Sequence, residues 1–209
     1  MAEARFDEQK LLDWSVAARP MPGQSVSGDL HLVKRFDRRV LVAVIDGVGH
    51  GEEAAAAARA AAIILDNYPD EIIISLVKRC HEALVKTRGV VLTLAELDTM
   101  NSTMTWLGVG NVEGRLFRAD PGASHPIERV LLRGGLVGYQ LPALAASVIP
   151  MAAGDLLILA TDGIHPAFED GINLNETPRQ IADNILSRHF KGNDDALVLV
   201  GRYHGMQHE

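Results

Sequence analysis

SGDLHLVKRFDRRVLVAVIDGVGHG, residues 27–51, reads as two strands and the turn that joins them. Leu30, Leu32 and Phe36 fall on alternate positions after Asp29, whereas Leu41 to Ile45 is an unbroken apolar run, the pattern of a strand buried on both faces. The polar Asp37-Arg38-Arg39 between them supplies a short turn. In an antiparallel hairpin the start of the first strand lies beside the end of the second, so Asp29 and Asp46 are expected at one edge. Lys34, Arg35, Arg38 and Arg39, the densest basic stretch, belong to the turn end, where a solvated tip is expected.

The same logic repeats downstream. Leu156 to Ala160 is an apolar run that closes on Thr161-Asp162-Gly163, and Asp194-Asp195 opens onto Leu197 to Val200, with a helical stretch from Pro178 to Arg188 between them. Aspartate is depleted in strands, yet here it stands at four strand borders. Taken singly, each Asp-Gly is a turn dipeptide. Taken together they point elsewhere, because adjacent like charges are costly without a cation to compensate them. Carboxylates gathered at the end of a sheet suit hard divalent ions. Gly47, Gly49 and Gly51 let the backbone come close to an ion, and the Gly47 carbonyl can serve as an oxygen ligand. A nucleotide loop is excluded on detail: neither G-x-G-x-x-G nor G-x-x-x-x-G-K-[ST] is present.

Around these borders the chain reads as a helix over Glu52 to Asp66, ended by Tyr68-Pro69, and a second over Asp70 to Lys86. Strands follow at Val90 to Leu97, Ser102 to Gly108 and Arg115 to Arg118. A loop marked by Gly134, Gly135, Gly138 and Pro142 leads to a strand at Ser147 to Met151. This order does not alternate as a doubly wound parallel sheet would. The expected class is α+β, with antiparallel sheets and helices packed outside them.

Composition narrows the function. With 209 residues, 47% hydrophobic and 22% charged, one domain over residues 1–209 is expected. A formal net charge of −7 argues against a nucleic-acid groove, which needs a clustered basic face. The single cysteine, Cys80, excludes an internal disulfide and a thiolate metal cage; its helical spacing with Leu76, Val77 and Leu84 makes it a buried packing thiol. Met1 to Lys10 is polar, unlike the core of a secretory signal, and no window reaches the roughly 18 apolar residues of a membrane helix, so cytoplasmic placement is expected. His31, His81, His125, His165 and His189 lack a ligand spacing and are read as ordinary polar residues, and Trp14 and Trp106 as core or half-buried strand residues.

Gly28-Asp29, Asp46-Gly47-Val48-Gly49-His50-Gly51, Thr161-Asp162-Gly163 and Asp194-Asp195, in this order and each at its strand border, resemble the PPM (PP2C-like) family of metal-dependent protein phosphatases in its SpoIIE-like branch. The likeness covers about Ser15 to Gly201. Arg79 to Ala83, Thr87 to Gly89 and Val109 to Glu113 look like the middle section of the compact stressosome feedback phosphatases of that branch. The resemblance implies an αββα sandwich of two packed antiparallel sheets flanked by helices. It implies Mn²⁺ or Mg²⁺, two ions, with Asp46 bridging them, the Gly47 carbonyl on one, Asp162 and Asp194 on the other, and Asp29 contributing directly or through water. It implies hydrolysis of phosphoserine or phosphothreonine on STAS-domain proteins of a stressosome, through attack by a hydroxide shared between the metals, with Asp46 and Asp29 as catalytic residues. A free STAS anti-anti-sigma factor as substrate, or a non-catalytic module that docks STAS proteins, are the alternatives. The chain departs from the wider family in having Val48 where a leaving-group histidine stands. His50 nearby reads as a helix-entry residue, Arg19 is a phosphate-binding candidate by sequence proximity alone, and Leu197 replaces a hydroxyl residue.

Overall fold

A computed structural model describes residues 11–205; expectations resting on Met1 to Lys10, and the outer bounds of the domain, lie outside the described residues. After β1 (Leu12–Arg19), the expected hairpin forms from β2 (Asp29–Phe36) and β3 (Arg39–Gly47), which pair antiparallel with Asp37 at a φ of 47° in the turn. Arg39 is already part of β3, so the turn is one residue shorter than the sequence reading. β3 is buried on both faces because it lies between two layers. Leu41, Ala43 and Ile45 face α1 (Glu52–Asn67) and α2 (Ile73–Leu84), and Val40, Val42 and Val44 face the second sheet.

The first sheet continues through β4 (Val90–Asp98) and β5 (Thr103–Val109). The second contains β6 (Glu113–Phe117) and β7 (Ile127–Arg129), whereas β8 (Leu132–Arg133) and β9 (Ser147–Pro150) return to β5. β10 (Leu156–Ala160) and β11 (Ala196–Tyr203) complete the second sheet around α3 (Pro178–His189). The orders are β2-β3-β4-β5-β8, with β9 also on β5, and β1-β11-β10-β6-β7. Leu157, Leu159, Leu197 and Leu199 meet the first sheet, and the alternate residues Ile158, Ala160, Val198 and Val200 pack under α3. Four layers result, αββα, and each central strand supplies two cores. All strand pairs are antiparallel except β5 with β8, so the first sheet is mixed rather than purely antiparallel.

Helix boundaries follow local chemistry. α3 opens on a capping box: Thr177 Oγ1 accepts from the Gln180 amide (3.3 Å), Gln180 Oε1 accepts from the Thr177 amide (3.0 Å), and Pro178 occupies the first turn. α1 has no side-chain cap and starts at Gly51, whose φ of 76° suits glycine. α2 is shorter than Asp70 to Lys86 and buries Cys80, as its spacing indicates. β1 is a strand that the sequence reading lacks. It is an edge strand on β11 with half of its residues exposed and only Ala17 buried; Leu12, Trp14 and Val16 alternate with Asp13 and Ser15, a short period-2 signal, and Leu12 and Val16 pack against the inter-sheet core. Trp14 lies on it, exposed and against the His31 ring, whereas Trp106 is core. Among the described residues no helix is long and apolar enough to cross a membrane.

Because Leu199 sits wholly buried between the sheets, Leu199→Ala is expected to cost about 2–5 kcal/mol. Exposed Val148→Ala on β9 should stay within about 0.5 kcal/mol. Urea-unfolding midpoints check both; equal midpoints for the two variants would contradict the two-sheet core.

Candidate metal centre

Each sheet brings a pair of aspartates to the same end of the sandwich. Asp29 begins β2 and Asp46 lies near the end of β3, and the two are direct register partners. On the second sheet the chain leaving β10 stays paired, the Thr161 amide donating to the Leu197 carbonyl (3.0 Å), so Asp162 and the Asp194-Asp195 entry to β11 share one border. Two contacts join the sheets there. Buried Thr161 donates its hydroxyl to Asp29 Oδ2 (2.7 Å) and accepts from the Leu197 amide (2.8 Å). Asp195, also buried, accepts from the Gly28 amide on Oδ2 and from the Met21 amide on Oδ1, each at 2.7 Å.

Asp195 is thereby a structural carboxylate, with both oxygens committed to backbone. Asp194 accepts only from the amide of its neighbour Asp195 (2.8 Å) among the described contacts and is partly exposed. The division of roles within Asp194-Asp195 follows: one residue fastens the loops, the other faces the edge.

The glycines beside these aspartates are required by close packing rather than by left-handed turns. A Cβ on Gly47 would lie 2.1 Å from the Ala54 carbonyl oxygen, and one on Gly163 would lie 1.9 Å from the Asp195 carbonyl oxygen. A Cβ on Gly28 would meet the Ala54 methyl at 2.9 Å. The alanine-rich start of α1 is thus pressed onto the Gly28 and Gly47 backbones, which fixes the Asp46 loop against the helix N-terminus.

Burial and mutual repulsion hold protons on this edge. Burial first, then Asp29, Asp162, Asp194 and Asp195 in that order, push Asp46 up to about 9. Burial pushes Asp29 up to about 7 against the opposing Thr161 hydrogen bond, with Asp195, Asp162 and Asp194 adding to the rise. Asp162 is raised by burial and by Asp194, with Lys191 and Asn111 acting against the rise. A divalent cation relieves the same repulsion that the protons relieve, and the donors are all hard oxygens, so the residues fit Mg²⁺ or Mn²⁺. Among the described residues no three or more His, Cys, Asp or Glu are grouped so as to hold a metal ion by themselves; the four aspartates share an edge without forming a closed ligand set.

Two residues absent from the sequence-based site grip Asp162. Asn111, in the turn after β5, donates Nδ2 to Asp162 Oδ2 (2.7 Å), and Lys191, after α3, donates Nζ to the Asp162 carbonyl (2.6 Å). No spacing rule singles out either; the adjacent turn glycines Gly110 and Gly192, both at positive φ, mark only the bends that present them. His50 is exposed and immediately precedes the α1 cap residue, Gly51, a helix-entry position. Arg19 ends β1 opposite Ala196, at the carboxylate end of the second sheet, with its guanidinium 5.2 Å from the Phe190 ring centroid. A concavity of ≈ 780 Å³ lies at the hairpin tip beside Arg38, Arg39 and Asp98, and none of the four aspartates lines it.

Residues 37–204 match the model of the stage II sporulation protein E (SpoIIE) family. The chain belongs to the SpoIIE family. It is a PP2C-like protein serine/threonine phosphatase by family and fold. The phosphoserine phosphatase RsbX of Bacillus subtilis (strain 168) is 24% identical over 181 residues, 86% of this chain and 89% of the relative. A solved chain from a bacterial stressosome system adapted to control secondary messenger signalling is 29% identical with a TM-score of 0.82, covering 91% of this chain and 99% of that one. The crystal structure of RsbX in complex with magnesium superimposes with a TM-score of 0.83 at 23% identity, covering 94% and 98% of the two chains.

Asp29 and Asp46 titrate above the ordinary 3.8, so their contribution to stability is complete below pH 3.8 and is lost as pH rises through about 7 and about 9. Metal-stripped protein should lose stability over that range more steeply than Asp46→Asn, and excess Mg²⁺ should flatten the loss; thermal melts at stepped pH with chelator read this. Identical slopes for both proteins would contradict it. Asn111→Ala should weaken Mn²⁺ binding about 10- to 100-fold with little change in melting temperature, measured by calorimetry; unchanged affinity would contradict the grip on Asp162.

Proposed function

We propose that this chain is an RsbX-like phosphatase that removes phosphate from phosphoserine or phosphothreonine of STAS-domain proteins in a stressosome, so providing feedback control of stress signalling. The observation that carries the reading is the meeting of Asp29, Asp46, Asp162 and Asp194 at one end of the sandwich, in a chain of the SpoIIE family. Cytoplasmic placement, and one such domain across residues 1–209, complete the proposal.

Asp46, central in the charge cluster, and the Gly47 carbonyl would hold divalent ions together with Asp162 and Asp194 from the second sheet, and Asp29 would contribute directly or through water. The chemistry such ions would supply is a water of lowered pKa and neutralisation of charge on the phosphoryl group. The protein's own part is positional. Thr161 fixes the Asp29 carboxylate, Asp195 fixes the backbone that carries it, and Asn111 with Lys191 fixes Asp162. Val48 carries no proton to donate to the leaving alkoxide. Exposed His50 is not fixed to a carboxylate among the described hydrogen bonds, so water or the docked substrate supplies that proton. Arg19, at the same end of the second sheet, is the candidate on β1 for a cation that meets the phosphate.

Phosphate release from a serine-phosphorylated STAS-domain protein should require Mn²⁺ or Mg²⁺ and should fall at least about 100-fold in Asp46→Asn. Mn²⁺-independent release, or full turnover by Asp46→Asn, would contradict the proposal. Tight binding of the phosphoprotein without any release would instead indicate a non-catalytic docking module.

A further inference from the structure

Three exposed apolar side chains border the carboxylate edge on its β4 side. Val48 follows Gly47, and its amide donates to the Gly89 carbonyl (3.2 Å). Gly89 packs so closely on the next turn that an added Cβ would lie 2.7 Å from the Val137 carbonyl oxygen. Tyr139, two residues on, is 81% exposed. Between them Gly138 lies against Leu84, where a Cβ would meet the Leu84 Cβ at 2.8 Å, and the adjoining Val85 is 62% exposed. Topology sets the span: Gly47 is in register with Val90, and Val90 bridges to Val137. The Tyr139 turn thus begins two strand spacings, roughly 10 Å, from the Asp46-Gly47 border.

This turn is restrained from several sides. Val90 and Val137 exchange both amide hydrogen bonds at 2.9 Å, and Leu136 and Gln140 exchange theirs at 2.8 and 2.9 Å. The Tyr139 amide donates to the Leu136 carbonyl (3.1 Å), and the Gly138 amide donates to His81 Nδ1 on α2 (2.9 Å). The φ of Gly138, 100°, requires glycine. A tyrosine so exposed on so fixed a turn offers contact area at small entropic cost, the property of an interface anchor.

The position says what covers it. A small phosphate ester occupying the carboxylate edge does not reach Tyr139. A folded protein does, because a standard interface buries about 800 Å² per partner, a disc of about 16 Å radius, and the phosphorylated side chain fixes its centre at the edge. We propose that Val48, Val85 and Tyr139 form the docking surface for a folded phosphoprotein substrate, with Tyr139 as its anchor. The proposal rests on the phosphatase reading above and adds to it the place where the substrate protein is recognised.

Steady-state kinetics with Mn²⁺ on two substrates, p-nitrophenyl phosphate and a serine-phosphorylated STAS-domain protein, test it. Tyr139→Ser should lower kcat/KM for the protein about 10-fold or more through KM, Val85→Ser should lower it less, and Tyr139→Phe should retain most of it. All three should hydrolyse p-nitrophenyl phosphate as the wild type does. Ile72→Ser provides the comparison, since Ile72 is equally exposed apolar surface at the other end of α2, about 18 Å away along a helix of twelve residues. It should leave both substrates unaffected. The docking proposal is overturned if Tyr139→Ser turns over the protein within twofold of wild type, if its p-nitrophenyl phosphate activity falls in parallel, or if Ile72→Ser is as damaging. A wild type inactive on both substrates overturns the phosphatase reading, and the docking surface with it.

Discussion

Asp195 holds the two halves of the site together. Its carboxylate takes the amide protons of Gly28 and Met21, and so ties the border of β11 to the loop that launches β2. Thr161 makes the reciprocal link by donating to Asp29. A buried carboxylate that accepts two backbone amides is strongly held, and here it holds segments more than 160 residues apart in sequence. Without that stitch, each sheet would still place two acids at its own end, but nothing would fix one pair relative to the other.

Once the ends are joined, burial of the carboxylates and then their mutual repulsion set the local energy. The fold spends stability to place Asp29 opposite Asp46 and to raise both above their usual titration range. Apolar packing on both faces of β3 and β10 resists any spreading of the strands. Close contact of Gly28, Gly47 and Gly163 with neighbouring backbone or methyl groups leaves the loops no room to relax away. Such a crowded acidic edge is complementary to divalent cations, which relieve the same repulsion.

Much of this was legible in the chain itself. The apolar run from Leu41 to Ile45 and the turn before it imply the hairpin, and the hairpin implies the meeting of Asp29 and Asp46, now seen as register partners. Antiparallel sheets with helices outside followed from the order of runs and helices, whereas the packing of two sheets as αββα was what the family resemblance implied. Other features carry little or no one-dimensional signal. β1 offers only the brief alternation Leu12, Trp14, Val16 with half of its side chains exposed, too short a signal to stand out as a strand. The parallel β5–β8 contact involves only two registered pairs. Gly163 reads as a turn glycine and Gly47 as one that lets the backbone approach an ion, but what each accommodates is the backbone of Asp195 or Ala54, a property of the neighbour rather than of the residue. Asn111 and Lys191 reach Asp162 from loops 51 and 29 positions away, a proximity that only the folded chain creates.

The central claim is that the four aspartates together hold divalent cations. Anomalous-difference maps from crystals grown with Mn²⁺ test it most directly. The account predicts peaks within bonding distance of Asp46, shared with Asp162 and Asp194 on one side and with the Gly47 carbonyl on the other. Maps with no peak at this edge, or with manganese bound only at other acidic groups, would contradict it.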